Sequence, residues 1–372
     1  MNNQPDDLLF FCSFPPPNTG QTIATKLIHD YLTSEYSTDI INIADKKRLS
    51  RKSGAFSFRI IWLLITKITR LIFSLITKKY KIVYLVYAPS KSALMRDFIA
   101  AWVVKYLSNA KIIAHLHNGN YGKNFQAGVS NFFFNKLMDY TDKLVFLSPM
   151  LNNLENIKNS KVVYLPNMIS ETVVCTDDEI EKKISEKSKE SCFNIFFISN
   201  MIEEKGYMDL LKAAKLLDKK TNDFILHFAG IWASEEMKEN FIGEVETCGL
   251  SKKTHVYGMI ESRETIKQMF LKADIFVLPT YYELEAQPLS IIEALNSATP
   301  VISTYHAAIP DMVDDEKNGF LINQKSVADL ADKLQQLMSR SLWMQMALSA
   351  RNTYKSVYTK DVVLPKLFQI FK

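Results

Sequence analysis

Leu278-Pro-Thr-Tyr-Tyr-Glu-Leu-Glu-Ala-Gln-Pro-Leu-Ser-Ile-Ile-Glu-Ala-Leu295 is the stretch on which the reading of this chain turns. The run that leads into it, Ile275–Leu278, is short and apolar, as expected for a strand buried on both faces. A polar loop follows, and Pro288 suits the first position of a helix, where a missing N–H costs nothing. The spacing therefore predicts strand, loop, helix. The backbone N–H groups of Leu289 and Ser290 would open that helix and, with its dipole, suit a diphosphate. Two carboxylates flank the helix start, Glu285 and Glu293, with seven residues between them. Carboxylates beside a phosphate site make electrostatic sense when they accept hydrogen bonds from neutral hydroxyls, such as those of a sugar or ribose. An isolated pair at this spacing more often only caps and solvates a helix end, so its weight comes from the surroundings.

Working outward, short β-branched runs alternate with longer amphipathic stretches, which predicts parallel α/β architecture. Strands are expected at Leu8–Ser13, Ile40–Ile43, Ile82–Tyr87, Lys111–His115, Lys143–Leu147 and Val162–Leu165, with helices at Gly20–Leu32, Ser92–Leu107 and Asn131–Tyr140. A second series starts near Phe193, with strands at Asn194–Ile198, Phe224–Ala229, His255–Tyr257, Ile275–Leu278 and Pro300–Ser303. The expected class is α/β, two Rossmann-like domains facing a central cleft. The first domain spans 1–170 and the second 192–350. The Asp-, Glu-, Lys- and Ser-rich residues 171–191 read as a solvated linker, and 351–372 as a helical segment packing back on the first domain.

The 372 residues suit two cores, and 47% hydrophobic with 23% charged residues is a globular composition. Cys12, Cys175, Cys192 and Cys248 form no CxxC pair, which argues against a disulfide framework or a zinc site. Met1 to Asp7 is polar and acidic and no secretory leader is read, so the expected location is cytoplasmic. The net charge of +5 is unevenly spread: Lys46 to Lys81 holds eleven basic residues and no acidic one, leaving about −6 for the rest. That predicts one anionic contact surface and no nucleic-acid partner. Arg59, Lys67, Arg70, Ser74, Lys78 and Lys81 recur at helical steps among apolar residues, with Phe56, Phe58 and Trp62 nearby. The pattern predicts an amphipathic helix with a largely cationic stripe, too often interrupted by charge to span a bilayer but suited to an anionic membrane surface.

The Glu285–Glu293 segment, continued by Thr299-Pro-Val-Ile-Ser-Thr-Tyr-His-Ala-Ala-Ile-Pro-Asp311 and Asn318-Gly-Phe-Leu-Ile322, resembles the retaining family-4 glycosyltransferases of the GT-B fold, the glycosyl transferases group 1. The resemblance covers most of the chain and is strongest from Phe196 to Ile322. It implies a retaining, metal-independent hexosyltransferase that uses a nucleoside diphosphate sugar, with UDP the commonest donor nucleotide in the family, and no cofactor. It implies that Glu293 holds the donor ribose and Glu285 the donor sugar, while backbone N–H groups of Gln287, Leu289 and Ser290 reach the phosphates. In Phe197-Ile-Ser-Asn-Met-Ile-Glu-Glu-Lys-Gly206, Lys205 would neutralise charge building on the leaving diphosphate. The family's arginine five residues earlier is Asn200 here, able to donate one hydrogen bond. Ala286 and Ala308 stand where the family usually has glycine. Val256-Tyr257-Gly258 resembles the turn beside the nucleotide base.

In the first half, Phe14-Pro-Pro-Pro-Asn-Thr-Gly20 resembles the family's N-terminal phosphate-touching loop, with Gly20 retained. His115 and His117 are two apart on a strand and share a face. The resemblance sets His117 near the transferred sugar, whereas His115 reads as a core histidine. Further metal ligands at suitable spacing are not evident. The resemblance also implies front-face substitution, with the departing phosphate helping to deprotonate the acceptor. The expected acceptor is a glycan, lipid-linked, in cell-surface polysaccharide synthesis on the inner face of the membrane. Competing readings are a nucleotide-sugar epimerase or hydrolase on the same fold, and a non-catalytic partner. A dinucleotide-dependent dehydrogenase is disfavoured, because no G-x-G-x-x-G follows the first strand.

Overall fold

Runs of three to six residues, too short for helices and mostly hydrophobic, form two separate parallel sheets of six strands. The computed structural model describes residues 7–44, 58–119, 121, 128–152, 159–221 and 223–372, with the side chains of 58–60 and 159 excepted. It divides into two units, residues 1–167 with 360–372, and residues 168–359.

The first unit runs β1 (Asp7–Cys12), α1 (Gly20–Leu32), β2 (Ser37–Asn42), α2 (Phe58–Thr77), β3 (Ile82–Tyr87), α3 (Lys91–Leu107), β4 (Lys111–Leu116), α4 (Gly128–Tyr140), β5 (Lys143–Phe146) and β6 (Val162–Tyr164). Its sheet order is β2-β1-β3-β4-β5-β6. All six residues of β3 are buried, which explains a run with no polar alternation. The order reverses at β1 and β3, the switch point of this sheet.

The second unit runs α5 (Asp177–Lys187), β7 (Phe193–Ile198), α6 (Tyr207–Leu217), β8 (Phe224–Ala229), α7 (Glu235–Thr247), β9 (Thr254–Gly258), α8 (Arg263–Lys272), β10 (Ile275–Leu278), α9 (Leu289–Asn296), β11 (Val301–Thr304), β12 (Gly319–Ile322), α10 (Val327–Leu337) and α11 (Arg340–Val357). Its order, β12-β11-β10-β7-β8-β9, is that of a dinucleotide-type Rossmann sheet, with the reversal between β7 and β10. The last helix, α12 (Lys360–Phe371), clusters with the first unit. There the Tyr36 hydroxyl donates to the Phe371 carbonyl at 2.9 Å, and the Phe371 ring stacks on Tyr84 with centroids 5.8 Å apart.

Several expectations change. Residues 171–191 are no solvated linker. Val173, Cys175 and Ile180 are buried in the second core, and α5 turns Lys183 inward. Its ammonium donates to the carbonyls of Phe270 at 2.9 Å and Ser297 at 2.8 Å and to the Thr299 hydroxyl at 2.6 Å. Burial lowers the Lys183 pKa to about 7. The polar composition that suggested solvent belongs to a helix whose buried side is narrow. Pro288 is the N-cap of α9, one residue before the expected position. The Asn318-Gly-Phe-Leu-Ile322 segment forms an edge strand, and the last helical stretch is two helices.

Ala307 adopts φ 50°, a left-handed conformation that costs a non-glycine residue roughly 1–2 kcal/mol. Its side chain is only half-buried, so little packing is lost on removal. Ala307→Gly is expected to stabilise the protein by roughly 0.5–1 kcal/mol after the added unfolded-state entropy of glycine is deducted. Chemical denaturation of the two proteins checks it, and an unchanged or lower midpoint would remove the strain from the account.

Candidate active site

The switch point of the second sheet is where its site residues gather. The loop after β7 carries Asn200 and Lys205, and the loop after β10 carries Thr280, Tyr282 and Glu285 before α9 begins. Gly206 brings the two loops together. It sits at φ 83°, and a Cβ there would lie 2.5 Å from the Pro279 carbonyl oxygen, so only glycine permits this approach. The Tyr281 amide donates to the Glu204 carbonyl at 2.7 Å across the same junction.

Lys205 and Glu285 thereby meet in an ion pair, with both side chains largely buried. The Thr280 hydroxyl donates to the same Glu285 oxygen at 3.3 Å, and the Lys205 ammonium lies 5.0 Å from the centre of the Tyr282 ring. Sequence reading gave Lys205 and Glu285 separate tasks. The structure couples them, because neither charge could stand alone at this burial.

Glu293 is buried in α9 and faces Arg263, the first residue of α8, in a second ion pair. Burial pushes the Glu293 carboxyl above the usual range, and the Arg263 guanidinium draws it partly back. The Arg263 Nε is buried without a hydrogen-bond partner. Sequence analysis missed Arg263, since its local signal is only that of a helix start after the N-cap Ser262, 30 residues from its partner. Thr280 and Tyr282 were also missed, and only their place inside the quoted stretch hinted at them.

The α9 N-terminus has no side-chain cap. Its leading N–H groups, at Leu289 and Ser290, open the helix beside buried Gln287 and Ala286. The amide of Ala308 donates to the Ala286 carbonyl at 3.1 Å, so the two positions where the family has glycine lie against each other. Asn200 is exposed in the turn after β7. Tyr257, at the end of β9, is 44% exposed, and its hydroxyl bonds to His227 Nδ1 at 2.9 Å. The helix expected after Gly20 is present, but its N-terminus is already occupied by a reciprocal cap between Thr19 and Thr22. That differs from the open start of α9.

His115 and His117 lie at the end of β4 in the first unit, ring centres 4.0 Å apart and both buried. The Tyr84 hydroxyl and His115 Nδ1 bond at 2.7 Å, while His117 Nε2 has no partner. Burial lowers the His117 pKa to about 3, so the ring is neutral near neutral pH.

Residues 177–355 match the family model for glycosyl transferases group 1. That match covers most of the second unit. Among proteins similar in sequence, a Staphylococcus aureus poly(ribitol-phosphate) alpha-N-acetylglucosaminyltransferase is 29% identical over 176 residues, covering 47% of this chain and 34% of that protein. A putative colanic acid biosynthesis glycosyltransferase of Escherichia coli is 27% identical over 152 residues, 40% of this chain and 36% of that protein. The match thus spans about a third of the length of these curated relatives. Solved structures are similar along the whole chain. A Rickettsia africae glycosyltransferase has a TM-score of 0.74 at 17% identity, covering 100% of this chain and 98% of that one. An Anabaena protein in complex with UDP-glucose has a TM-score of 0.72 at 14% identity, covering 98% of each. These likenesses identify the fold as GT-B, two Rossmann-like units.

Removing Arg263 would leave Glu293 buried without the charge that draws its pKa down. A buried carboxyl whose pKa is raised withdraws stability as pH rises and it must ionise, so Arg263→Met is expected to melt below the parent, with the gap widening from acid to neutral pH. Melting curves of the two proteins across that range measure this, and a gap that does not change with pH would count against Arg263 as the charge that compensates Glu293. A second expectation concerns His117. A histidine held neutral in the fold protonates in the unfolded chain below about pH 6.5, so it withdraws stability as pH falls, by up to about 1.4 kcal/mol per pH unit. His117→Asn should lose less melting temperature than the parent between pH 7 and 5, and an equal loss would contradict the neutral ring.

Proposed function

We propose that the chain is a retaining, metal-independent glycosyltransferase that moves a hexosyl group from a nucleoside diphosphate sugar, with UDP the first candidate, to a lipid-linked glycan. The observation that carries the reading is the Lys205–Glu285 pair beside the uncapped start of α9, at the switch point of the unit that the group 1 family model matches. Support for the pathway comes from relatives named for sugar transfer to poly(ribitol-phosphate) and for colanic acid and amylovoran biosynthesis. The Anabaena neighbour's complex with UDP-glucose supports the nucleotide.

The chemistry follows from the charges. In the free protein Glu285 neutralises Lys205. A donor diphosphate at the α9 N–H groups brings a second claimant for the ammonium, and Lys205 turns to the leaving oxygen, where negative charge grows most in the transition state. Glu285, released, accepts from the hydroxyls of the donor sugar, and Glu293 accepts from those of the ribose. Asn200 adds one hydrogen bond to the phosphates. Tyr257 serves the base. His117 Nε2 suits hydrogen bonding to a neutral hydroxyl, since its low pKa excludes a cationic role. As the glycosidic bond breaks, a phosphate oxygen takes the acceptor proton, so the new bond forms on the face the nucleotide leaves.

Anchorage to the anionic inner face of the cell membrane is assigned to the basic region Lys46–Lys81, with the chain otherwise cytoplasmic. Of that region, residues 46–57, including Phe56, lie outside the described residues.

The test is acceptor-dependent release of nucleoside diphosphate from a panel of donors. Glu285→Gln and Lys205→Ala are each expected to lower kcat by 10²-fold or more, with smaller changes in nucleotide affinity. Release that is independent of acceptor would point to hydrolysis or isomerisation. Full turnover by Glu285→Gln would sink the assignment.

A further inference from the structure

Helices α2, α3 and α4 pack in series on one side of the first sheet. Their outward faces carry many large apolar side chains among the polar ones, most of all on α2, where a solvated layer would be largely polar. On α2, Trp62, Ile65, Phe73 and Ile76 fall within about 80° of arc at 100° per residue. Phe73 and Ile76 are 68% and 70% exposed, while Leu71 and Leu75 are buried on the opposite side. A helix apolar on both sides has one side more than its own domain can cover. The expected cationic stripe is thus corrected: the outermost ridge is hydrophobic, and Arg70, with partly buried Lys67 beyond it, runs along its flank.

The apolar surface continues across the layer. From α3 to α4 runs a ribbon of rings, Trp102–Tyr106–Tyr140–Phe98–Phe133–Phe132, with successive centroids 5.5, 6.1, 5.9, 4.9 and 5.6 Å apart. Of 23 exposed large hydrophobic residues among those described, 11 lie on these three helices, including both exposed tryptophans. The same helices hold seven Lys and Arg against two Asp, one of which, Asp97, is buried against Arg96. Two copies of such a face would oppose like charges. Tryptophan and tyrosine interleaved with lysine and arginine instead suit the headgroup region of an anionic bilayer, where rings sink and cations stay with phosphate. No helix among the described residues is long and apolar enough to cross a membrane, so any contact made by these helices is interfacial.

We infer that the α2–α3–α4 face is a bilayer-insertion surface, with the α2 ridge and the aromatic ribbon seated below the headgroups of an anionic lipid surface. The inference deepens the proposed membrane anchorage. It extends the contact from the basic segment to α3 and α4 and makes its main component hydrophobic.

The full chain is mixed with phosphatidylcholine vesicles containing or lacking phosphatidylglycerol, and pelleted at 0.1 and 0.5 M salt. Binding to the anionic vesicles should fall no more than a few-fold between the two salts. The combined variant Trp62→Ser, Phe73→Ser, Trp102→Ser should lose at least tenfold at both. Lipids brominated in the acyl chain should quench the fluorescence of Trp102 in Trp62→Phe and of Trp62 in Trp102→Phe. Binding abolished by 0.5 M salt, with no quenching, would make the contact purely electrostatic and overturn the inference. So would a concentration-dependent dimer, lost in the triple variant, with no vesicle binding. A UDP-glucose thermal shift is read in parallel. Its absence in the parent chain would count against the transferase reading while leaving the vesicle result to stand or fall alone.

Discussion

The contact of Gly206 with Pro279 governs the second unit's site. Two loops that leave the sheet at neighbouring strands would ordinarily diverge, since β7 and β10 feed helices in opposite senses around the switch point. A residue without a Cβ lets the β7 loop rest on the end of β10. Lys205, one residue earlier, is then delivered to a carboxylate 80 positions away. Any side chain at 206 would open this junction, and the charged pair would lose its geometry before losing either partner.

Once the loops are joined, electrostatics decides the rest. Two carboxylates are buried within the span of one short helix start, and each is matched by one cation, Lys205 for Glu285 and Arg263 for Glu293. Burial of either acid without its partner would cost several kcal/mol or force protonation. Each buried carboxylate therefore has a cation in place of the water it has lost. The two pairs stay neutral overall, beside the amide dipoles of α9.

How far this was legible follows the range of the interactions involved. Parallel architecture showed in the alternation of apolar runs, because strands buried on both faces leave no other pattern, and β3 and β10 matched residue for residue. Lys205, Glu285 and Glu293 were found through a local motif. Their partners were not found, since an ion pair between Arg263 and Glu293 leaves no trace at either position in a linear chain. The segment 171–191 misled for the same reason. Its helix looks solvated because the acceptors that draw Lys183 inward are carbonyls at 270 and 297, far away in sequence. On α2 the periodicity was read correctly, but the face turned outward was not, because exposure depends on where Leu71 and Leu75 pack.

The two units divide the physical labour unequally. The histidines that end β4 are held neutral by burial, so the first unit offers hydrogen bonds at that point and no charge. Its α1 N-terminus is also closed by the Thr19–Thr22 cap. In the second unit, positive potential comes from Lys205 and the open amides of α9, and Asn200, standing where the family has arginine, adds none. One formal cation depends on low local dielectric to count, since at 4 Å a unit pair is worth about 1 kcal/mol in water and about 4 kcal/mol at an effective dielectric of 20. The depth at which Lys205 and Glu285 are buried supplies that condition, which ties the strength of the pair to the packing of Gly206 as much as to the charges themselves.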